Sequence, residues 1–385
     1  MQKKLLALAV AGLASGVASA QTNVTIYGVL DMGYVYSSGS AGPRSGTNTY
    51  SGLASSAAGN RLGFKGEEAL GNGLKAVFTL EYGLNIDNNS GLGSVAPGAT
   101  NGLQARQQFV GLSSKYGTIA LGRQYAPGFD ATARNDALDA SDMSIQSSLS
   151  DLYGYSITPN SGARFDNAIT YTSNNFSGLT ISAIYGFGES KLGGSYNTDI
   201  NSVYDDSKVG LGLNYASGPI NLDAVYQSRL SFVVPNAAPL PYKLPGTSKS
   251  INEWYLGGSY DFKVVKFFGS YQALDNNNDI IASGIDNSNL WTVGVNAPIG
   301  RGTLGLTYGR LTTDLRNVND GVSWGAGTSY TYPLSKRTSV YGAYSYFSNN
   351  NTALPGQAIA VPGGTGIGAP GESNYALGAG ITHSF

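Results

Sequence analysis

The chain has 385 residues, with 23 basic and 24 acidic side chains, one histidine and no cysteine. The near-neutral balance argues against a nucleic-acid partner, and the absent cysteine means that the fold needs no disulfide. Gly (54) and Tyr (26) are abundant and mean hydropathy is −0.11, yet no stretch beyond the first twenty residues approaches the ~20 apolar residues of a spanning helix.

The chain opens with a short basic start, Met1-Gln2-Lys3-Lys4. An apolar run from Leu5 to Val17 follows, too short to span a bilayer, and then the A-x-A site Ala18-Ser19-Ala20. Together they predict a secretory signal peptide over 1–20, with the mature chain starting at Gln21. Without the two leader lysines, 21 basic residues stand against 24 acidic ones, a formal charge of −3.

Sixteen strands are predicted, near 23–36, 60–68, 73–84, 103–114, 117–125, 164–174, 177–188, 207–216, 219–230, 251–262, 263–274, 287–298, 301–313, 321–333, 336–348 and 374–385. Most alternate with a period of two. Leu74, Ala76, Phe78, Leu80 and Tyr82 share one face, and Lys75, Val77, Thr79 and Glu81 the other. Many run to ten residues or more, the length a tilted strand needs to cross a bilayer. Tyr and Trp suit the two interfacial girdles of such a wall.

The connections alternate too. Turns such as Leu70-Gly71-Asn72-Gly73 and Ala216-Ser217-Gly218-Pro219 are short; those near 37–59, 85–102, 126–163, 189–206, 231–250, 275–286, 314–320 and 349–373 are long. A soluble all-β protein has no reason to keep that two-sided rhythm, whereas an outer-membrane barrel does. The last segment alternates to Phe385, with Tyr375, Leu377, Ala379, Ile381 and His383 on its apolar face. A final strand of this kind leaves an open edge unless the first strand closes on it. The expected fold is therefore all-β: one 16-stranded antiparallel transmembrane barrel over 21–385, apolar outside and polar within.

Several segments carry a resemblance. Asn23-Val24-Thr25-Ile26-Tyr27-Gly28-Val29-Leu30-Asp31 resembles the first strand of general-diffusion porins of Gram-negative bacteria. Asn60-Arg61-Leu62-Gly63-Phe64-Lys65-Gly66-Glu67-Glu68-Ala69-Leu70-Gly71-Asn72-Gly73 is similar to their strand 2–turn–strand 3 signature. Arg106–Leu112 and Gly117–Gln124 resemble strands 4 and 5. Arg164–Tyr171 and the ending Gly380–Phe385 are similar to the betaproteobacterial branch. The resemblance implies a trimer, and a third long loop folded into the lumen, about 126–163. The protein would be a passive channel for ions and small hydrophilic solutes, set among outer-membrane lipid and lipopolysaccharide and needing no cofactor.

Parity gives the wall a charge. With Leu62 and Phe64 outward, Arg61, Lys65 and Glu67 point inward. With Phe165, Ile169 and Tyr171 outward, Arg164 and Asp166 point inward. Parity is ambiguous at 104–112, and only the resemblance puts Arg106 inside. The mixed face of Gln107, Phe109 and Gly111, read as outward, suits protein contact. Arg61, Arg106, Arg164, Lys65, Lys75 and Arg123 then supply positive potential. The loop offers Asp130, Asp136, Asp139, Asp142 and Asp151 against them. Asp136, Asp139 and Asp142 cluster at mid-loop and are expected at the narrowest level, with Asp130 beside them. Rings of positive side chains favour anions, so the expected selectivity is weakly anionic.

Other classes find little support. His383 is the single histidine, and its neighbour Ser384 lies on the opposite face, so no nucleophile–base pair forms. Gly366-Ile367-Gly368-Ala369-Pro370-Gly371 matches G-x-G-x-x-G but opens no helix. Asp275-Asn276-Asn277-Asn278-Asp279 begins like a calcium loop but has Ile280 and Asp286 where Gly and Glu are required, so no metal site is expected. An adhesin would need a soluble domain for which the loops leave no room. A solute-specific channel, for sugars or phosphate, is the remaining alternative within transport.

Overall fold

The computed structural model describes residues 23–40, 47–87, 104–151, 157–158, 162–188, 207–230, 250–276, 285–315, 319–352 and 370–385. The leader expected over 1–20, the G-x-G-x-x-G tract apart from its last two residues and most of the long loops lie outside them. The described strands are β1 Asn23–Ser40, β2 Thr47–Ala54, β3 Arg61–Gly71, β4 Leu74–Gly83, β5 Ala105–Ser114 and β6 Gly117–Tyr125. After an inward segment come β7 Arg164–Ser173, β8 Leu179–Gly186, β9 Ser207–Ser217, β10 Ile220–Leu230, β11 Ile251–Asp261 and β12 Lys266–Asn276. The series ends with β13 Ile285–Ile299, β14 Gly302–Leu315, β15 Gly321–Pro333, β16 Thr338–Asn349 and β17 Ser373–Ser384.

From β3 onward each strand pairs antiparallel with its chain neighbours, and β17 returns to β1 in an unbroken register from Val29↔Ser384 to Gly39↔Asn374. The sheet therefore closes on itself as a barrel of sixteen staves. The seventeenth described strand arises because one stave is in two pieces. The lower half of β1 pairs with β3 and its upper half with β2, and residues 55–60 bulge inward between them. Sequence reading placed 47–54 in a loop; polar Thr, Asn and Ser at its start hide the alternation.

Asp31 fixes this break. It is fully buried and accepts from the backbone N–H of Ser56 at 2.7 Å and of Ala57 at 3.2 Å, from the Tyr341 hydroxyl at 3.1 Å and from the Thr382 hydroxyl at 2.5 Å. Its own N–H donates to the Asn60 side chain. Donors that the broken ladder would leave unpaired are thereby satisfied.

The outer face is apolar along every stave: Ile26, Leu80, Leu121, Leu213, Leu256, Val293 and Leu377 are all exposed. Phe385, on the same face, is exposed rather than sealed in an interior core. A surface this apolar and continuous suits hydrocarbon, with every backbone ladder satisfied within the wall. Among the described residues no helix is long and apolar enough to cross a membrane.

The core sits inside the barrel. The segment after β6 enters the lumen and forms two short helices, α1 Pro127–Arg134 and α2 Ile145–Asp151, which sequence reading treated as loop. Pro127 starts α1, Asp130 is in its first turn and Arg134 in its last, an order that suits the helix dipole. Helix α1 lies against β8–β11 and α2 against β13–β15. Met143, Ile145 and Leu149 share an apolar cluster with the inward residues Val35, Ile251, Leu274, Leu290, Leu311 and Phe347. Two inward glycines let the loop touch the wall: a Cβ on Gly212 would fall 2.6 Å from Pro127 Cβ, and one on Gly294 2.6 Å from Ala137 Cβ.

Candidate functional site

Inward residues of β1, β3, β4, β5 and β6 converge on Glu81, whose side chain is almost enclosed. Its Oε1 accepts from Arg106 Nε at 2.8 Å and from the Tyr125 hydroxyl at 2.7 Å; its Oε2 accepts from the Tyr27 hydroxyl at 3.0 Å. Arg106 Nη2 also donates to the Tyr125 hydroxyl at 3.0 Å. Arg61 Nε lies 3.9 Å from Oε2, and Arg61 Nη1 donates to the Gly59 carbonyl at 3.1 Å. Lys65 Nζ stands 5.2 Å from the centre of the Tyr27 ring.

A β-bulge puts Arg106 there. Glu81 pairs with Gln107 and Tyr82 with Ala105, so Arg106 is the unpaired extra residue. Val110 and Leu112, 59% and 50% exposed, face outward, and a strict period of two would send Arg106 out with them. The bulge reverses it. It also corrects the face expected outward: Gln107, Phe109 and Gly111 sit opposite Glu81, Thr79 and Val77 and face the lumen. They offer nothing to a neighbouring subunit.

A second bulge governs Arg164. Gly122 pairs with Ala168 but Gln124 with Phe165, and Asn167 takes a φ of 46°. Ile169 and Tyr171 face outward as expected, but Phe165 turns inward with no exposed surface, beneath the loop with Ala126, Ala168 and Ile184. Arg164 lies over two stacked rings, 5.6 Å from the centre of Tyr125 and 5.2 Å from that of Phe129. Among the described residues no carboxylate comes within 4 Å of its guanidinium.

The other expected bases do not join this cluster. Arg123 sits opposite Gln108, on the side of outward Leu121; it pairs with Asp166 and donates to the Ala105 carbonyl at 3.0 Å. Asp166, expected in the lumen, is thereby engaged and is largely exposed. Lys75 is inward but lies 2.8 Å from Glu67, each about half exposed, so the pair adds little net charge. This part of the wall thus brings together three guanidinium groups and one carboxylate: Arg61 and Arg106 meet Glu81, and Arg164 stands over the Tyr125 ring that Glu81 also holds.

The loop acids divide. Asp136 is buried, 4% exposed, and accepts from the N–H groups of Leu138 and Ala140 and from the Ser144 hydroxyl. It folds the loop back on itself and does not line the water path, contrary to expectation, because a loop turning at Ala137–Asp139 needs an acceptor inside the turn. Burial pushes its carboxyl up to about 6, against the hydrogen bonds that favour the anion. Asp139 and Asp130 are exposed and Asp142 half-buried. Asp130 opens onto a polar recess under α1 with Arg134, Thr170 and Asn214. Arg134 lies 2.7 Å from Asp223, which also accepts from Asn135, Asn214 and Asn221 and pins α1 to the wall.

The chain matches the Gram-negative porin family over residues 7–352. The chain belongs to that family. It is 30% identical over 387 residues to outer membrane porin protein 32 of Delftia acidovorans, covering all of both chains. It is 27% identical to an outer membrane porin of Bordetella pertussis, over 91% of this chain and 95% of that one. Among solved structures, an anion-selective porin from Comamonas acidovorans superposes with a TM-score of 0.73 at 26% identity, over 95% of this chain and all of the other. OmpT of Vibrio cholerae, described in a trimer form, shares the fold with a TM-score of 0.60 at 14% identity, over 94% and 99% of the two chains.

As a porin, the protein sits in the outer membrane and is a channel for passive diffusion of ions and small hydrophilic solutes. The cluster uses residues that sequence reasoning did not single out: Tyr27 and Tyr125 of the wall and Phe129 of α1. Their signal was their place beside the arginine-bearing segments, but period alone could not tell which way Tyr125 turns at the end of its strand. Among the described residues no group of three His, Cys, Asp or Glu side chains could hold a metal ion.

Proposed function

We propose that this porin is a weakly anion-preferring general-diffusion channel. The observation that carries the reading is the cluster of Arg61 and Arg106 on Glu81 with Arg164 over the Tyr125 ring, three guanidinium groups to one carboxylate, while Asp136 is buried. An ion passing here meets fixed positive charge with little opposing carboxylate, and that favours anions. The anion-selective porin from Comamonas acidovorans supports the same direction. Exposed Asp130 and Asp139 reduce the field, which keeps the preference weak. The test is the zero-current potential of the purified protein in a planar bilayer under a potassium chloride gradient. A chloride-side potential is expected; a clear potassium preference overturns the reading.

The assembly we propose is a homotrimer, supported by the family. Conductance should then appear in steps of three, and single-step insertion by cross-linked monomers would oppose it. We further propose that export removes residues 1–20, supported by the basic start, apolar run and A-x-A site. Terminal sequencing of the membrane-inserted protein should begin at Gln21.

A further inference from the structure

Arg310 is on the wrong side of the wall for a pore charge. In β14, Leu311 is fully buried in the lumen and Gly309 lies against Ile145 and Leu149 of the inward loop. Leu306, Tyr308 and Arg310 alternate with them and face outward, and Arg310 is exposed. Arg123 also follows the outward parity, but Asp166 engages it. Among the described residues no carboxylate lies within 4 Å of Arg310.

Its surroundings fix its depth. Arg310 is opposite Trp291 on one neighbouring strand and Trp324 on the other. Tyr308 touches both rings, at 5.4 and 5.9 Å between centres, and Trp324 continues to Tyr346 at 5.5 Å. The chain has three tryptophans, and two of them flank this one arginine. Such a row of Trp and Tyr belongs at a membrane–water interface. Arg310 is eight residues along β14 from Gly302, beside the short turn, which at ~3.4 Å per residue and a tilt of ~40° is about 20 Å above that rim. That is near the far edge of an apolar band ~25 Å tall, in the leaflet facing the long loops. A guanidinium is costly at the bilayer centre but nearly free at this edge, and its planar fork suits phosphate oxygens.

We propose that Arg310, held between Trp291 and Trp324, binds a phosphate on the glucosamine backbone of lipopolysaccharide. The proposal rests on the outer-membrane reading, with the short turns at the periplasmic rim. In that orientation the leaflet at this depth is the one built from phosphorylated glycolipid, and the unopposed cation matches its charge. The tryptophans flank the headgroup and shield the contact from water.

The test uses the refolded barrel as wild type, R310Q and R310K, with native mass spectrometry counting bound lipid. The probes are bisphosphorylated lipid A, its dephosphorylated form and phosphatidylglycerol. Bisphosphorylated lipid A should bind R310Q about fivefold more weakly than wild type, with R310K between them and no difference for the dephosphorylated lipid. Equal binding to wild type and R310Q overturns the proposal, as does phosphatidylglycerol binding as well as lipid A. Loss of oligomer in R310Q without any lipid also overturns it, because a neighbouring protomer would then occupy the site. Single-channel conductance of R310Q, recorded alongside, judges the channel reading separately: it should equal that of wild type.

Discussion

Arg106 and Glu81 meet at 2.8 Å only because Arg106 is the extra residue of a β-bulge. The bulge converts an outward position into an inward one and gives an almost enclosed carboxylate its cation. Glu81 in turn holds the hydroxyls of Tyr27 and Tyr125, so one acid organises four neighbours. With Arg164 over the Tyr125 ring, the cluster carries three guanidinium groups to this one carboxylate.

Removing the carboxylate charge should therefore strengthen the anion preference. E81Q keeps an acceptor oxygen for one tyrosine hydroxyl, turns an amide donor to the other, and frees the arginine field. A unit charge ~7 Å from an ion in water-like surroundings is worth about 0.6 kcal/mol, of opposite sign for chloride and potassium, so the chloride-to-potassium permeability ratio should rise about sevenfold. Zero-current potentials of wild type and E81Q in one salt gradient check this. An unchanged or falling ratio would mean that Glu81 is screened from the ion path.

Arg164 and Arg106 should separate selectivity from stability. Arg164 leans on Tyr125 and Phe129, so R164A removes a charge without stranding an acid. It should fold as wild type and lower the permeability ratio about sevenfold by the same Coulomb estimate. R106A leaves Glu81 buried with Arg61 at 3.9 Å as its remaining cation, and stranding a buried charge costs about 3–5 kcal/mol. Thermal unfolding followed by circular dichroism should show a lower midpoint for R106A alone.

The closed barrel was legible because its outer face must be apolar along every stave. Leu74–Tyr82 and Leu211–Tyr215 wrote that period plainly, and the last strand wrote the closure. The bulges were not legible. A period of two carries no mark of a single inserted residue, so Phe165 was expected outward and Arg106 could not be placed by parity. The upper half of the second stave was missed because Thr47–Ala54 is polar at its start. The roles of the loop acids were hidden for another reason: whether an Asp faces water or bonds its own turn depends on where Leu138, Ala140 and Ser144 come to rest.

Asp136 makes the loop sensitive to acid. Its carboxyl is raised from 3.8 to about 6 by burial, so the folded loop holds a proton more tightly than the unfolded chain. Its stabilising contribution is full below pH 3.8 and is lost as pH rises through about 6. Over that window the loss is about 3 kcal/mol. Hydrogen exchange at the Leu138 and Ala140 amides, corrected for the intrinsic rate, should show weaker protection at pH 7 than at pH 4. D136N, which cannot ionise, should remove the dependence; equal slopes in both proteins would count against this origin.

Gly294 should decide how far the loop stands from the wall. A Cβ there would lie 2.6 Å from Ala137 Cβ, closer than two carbons can approach, so G294A must push the turn inward or shift the strand. Overpacking of this kind costs about 1–3 kcal/mol. Because Ala137 adjoins Asp136, the displaced turn should lower single-channel conductance and add current noise. The double variant G294A/A137G removes the Ala137 methyl that the new side chain would strike and should restore wild-type conductance, a coupling that independent sites would not show. If G294A alone conducts as wild type does, Ala137 is not seated against β13 in the open channel, and the loop lies elsewhere in the lumen.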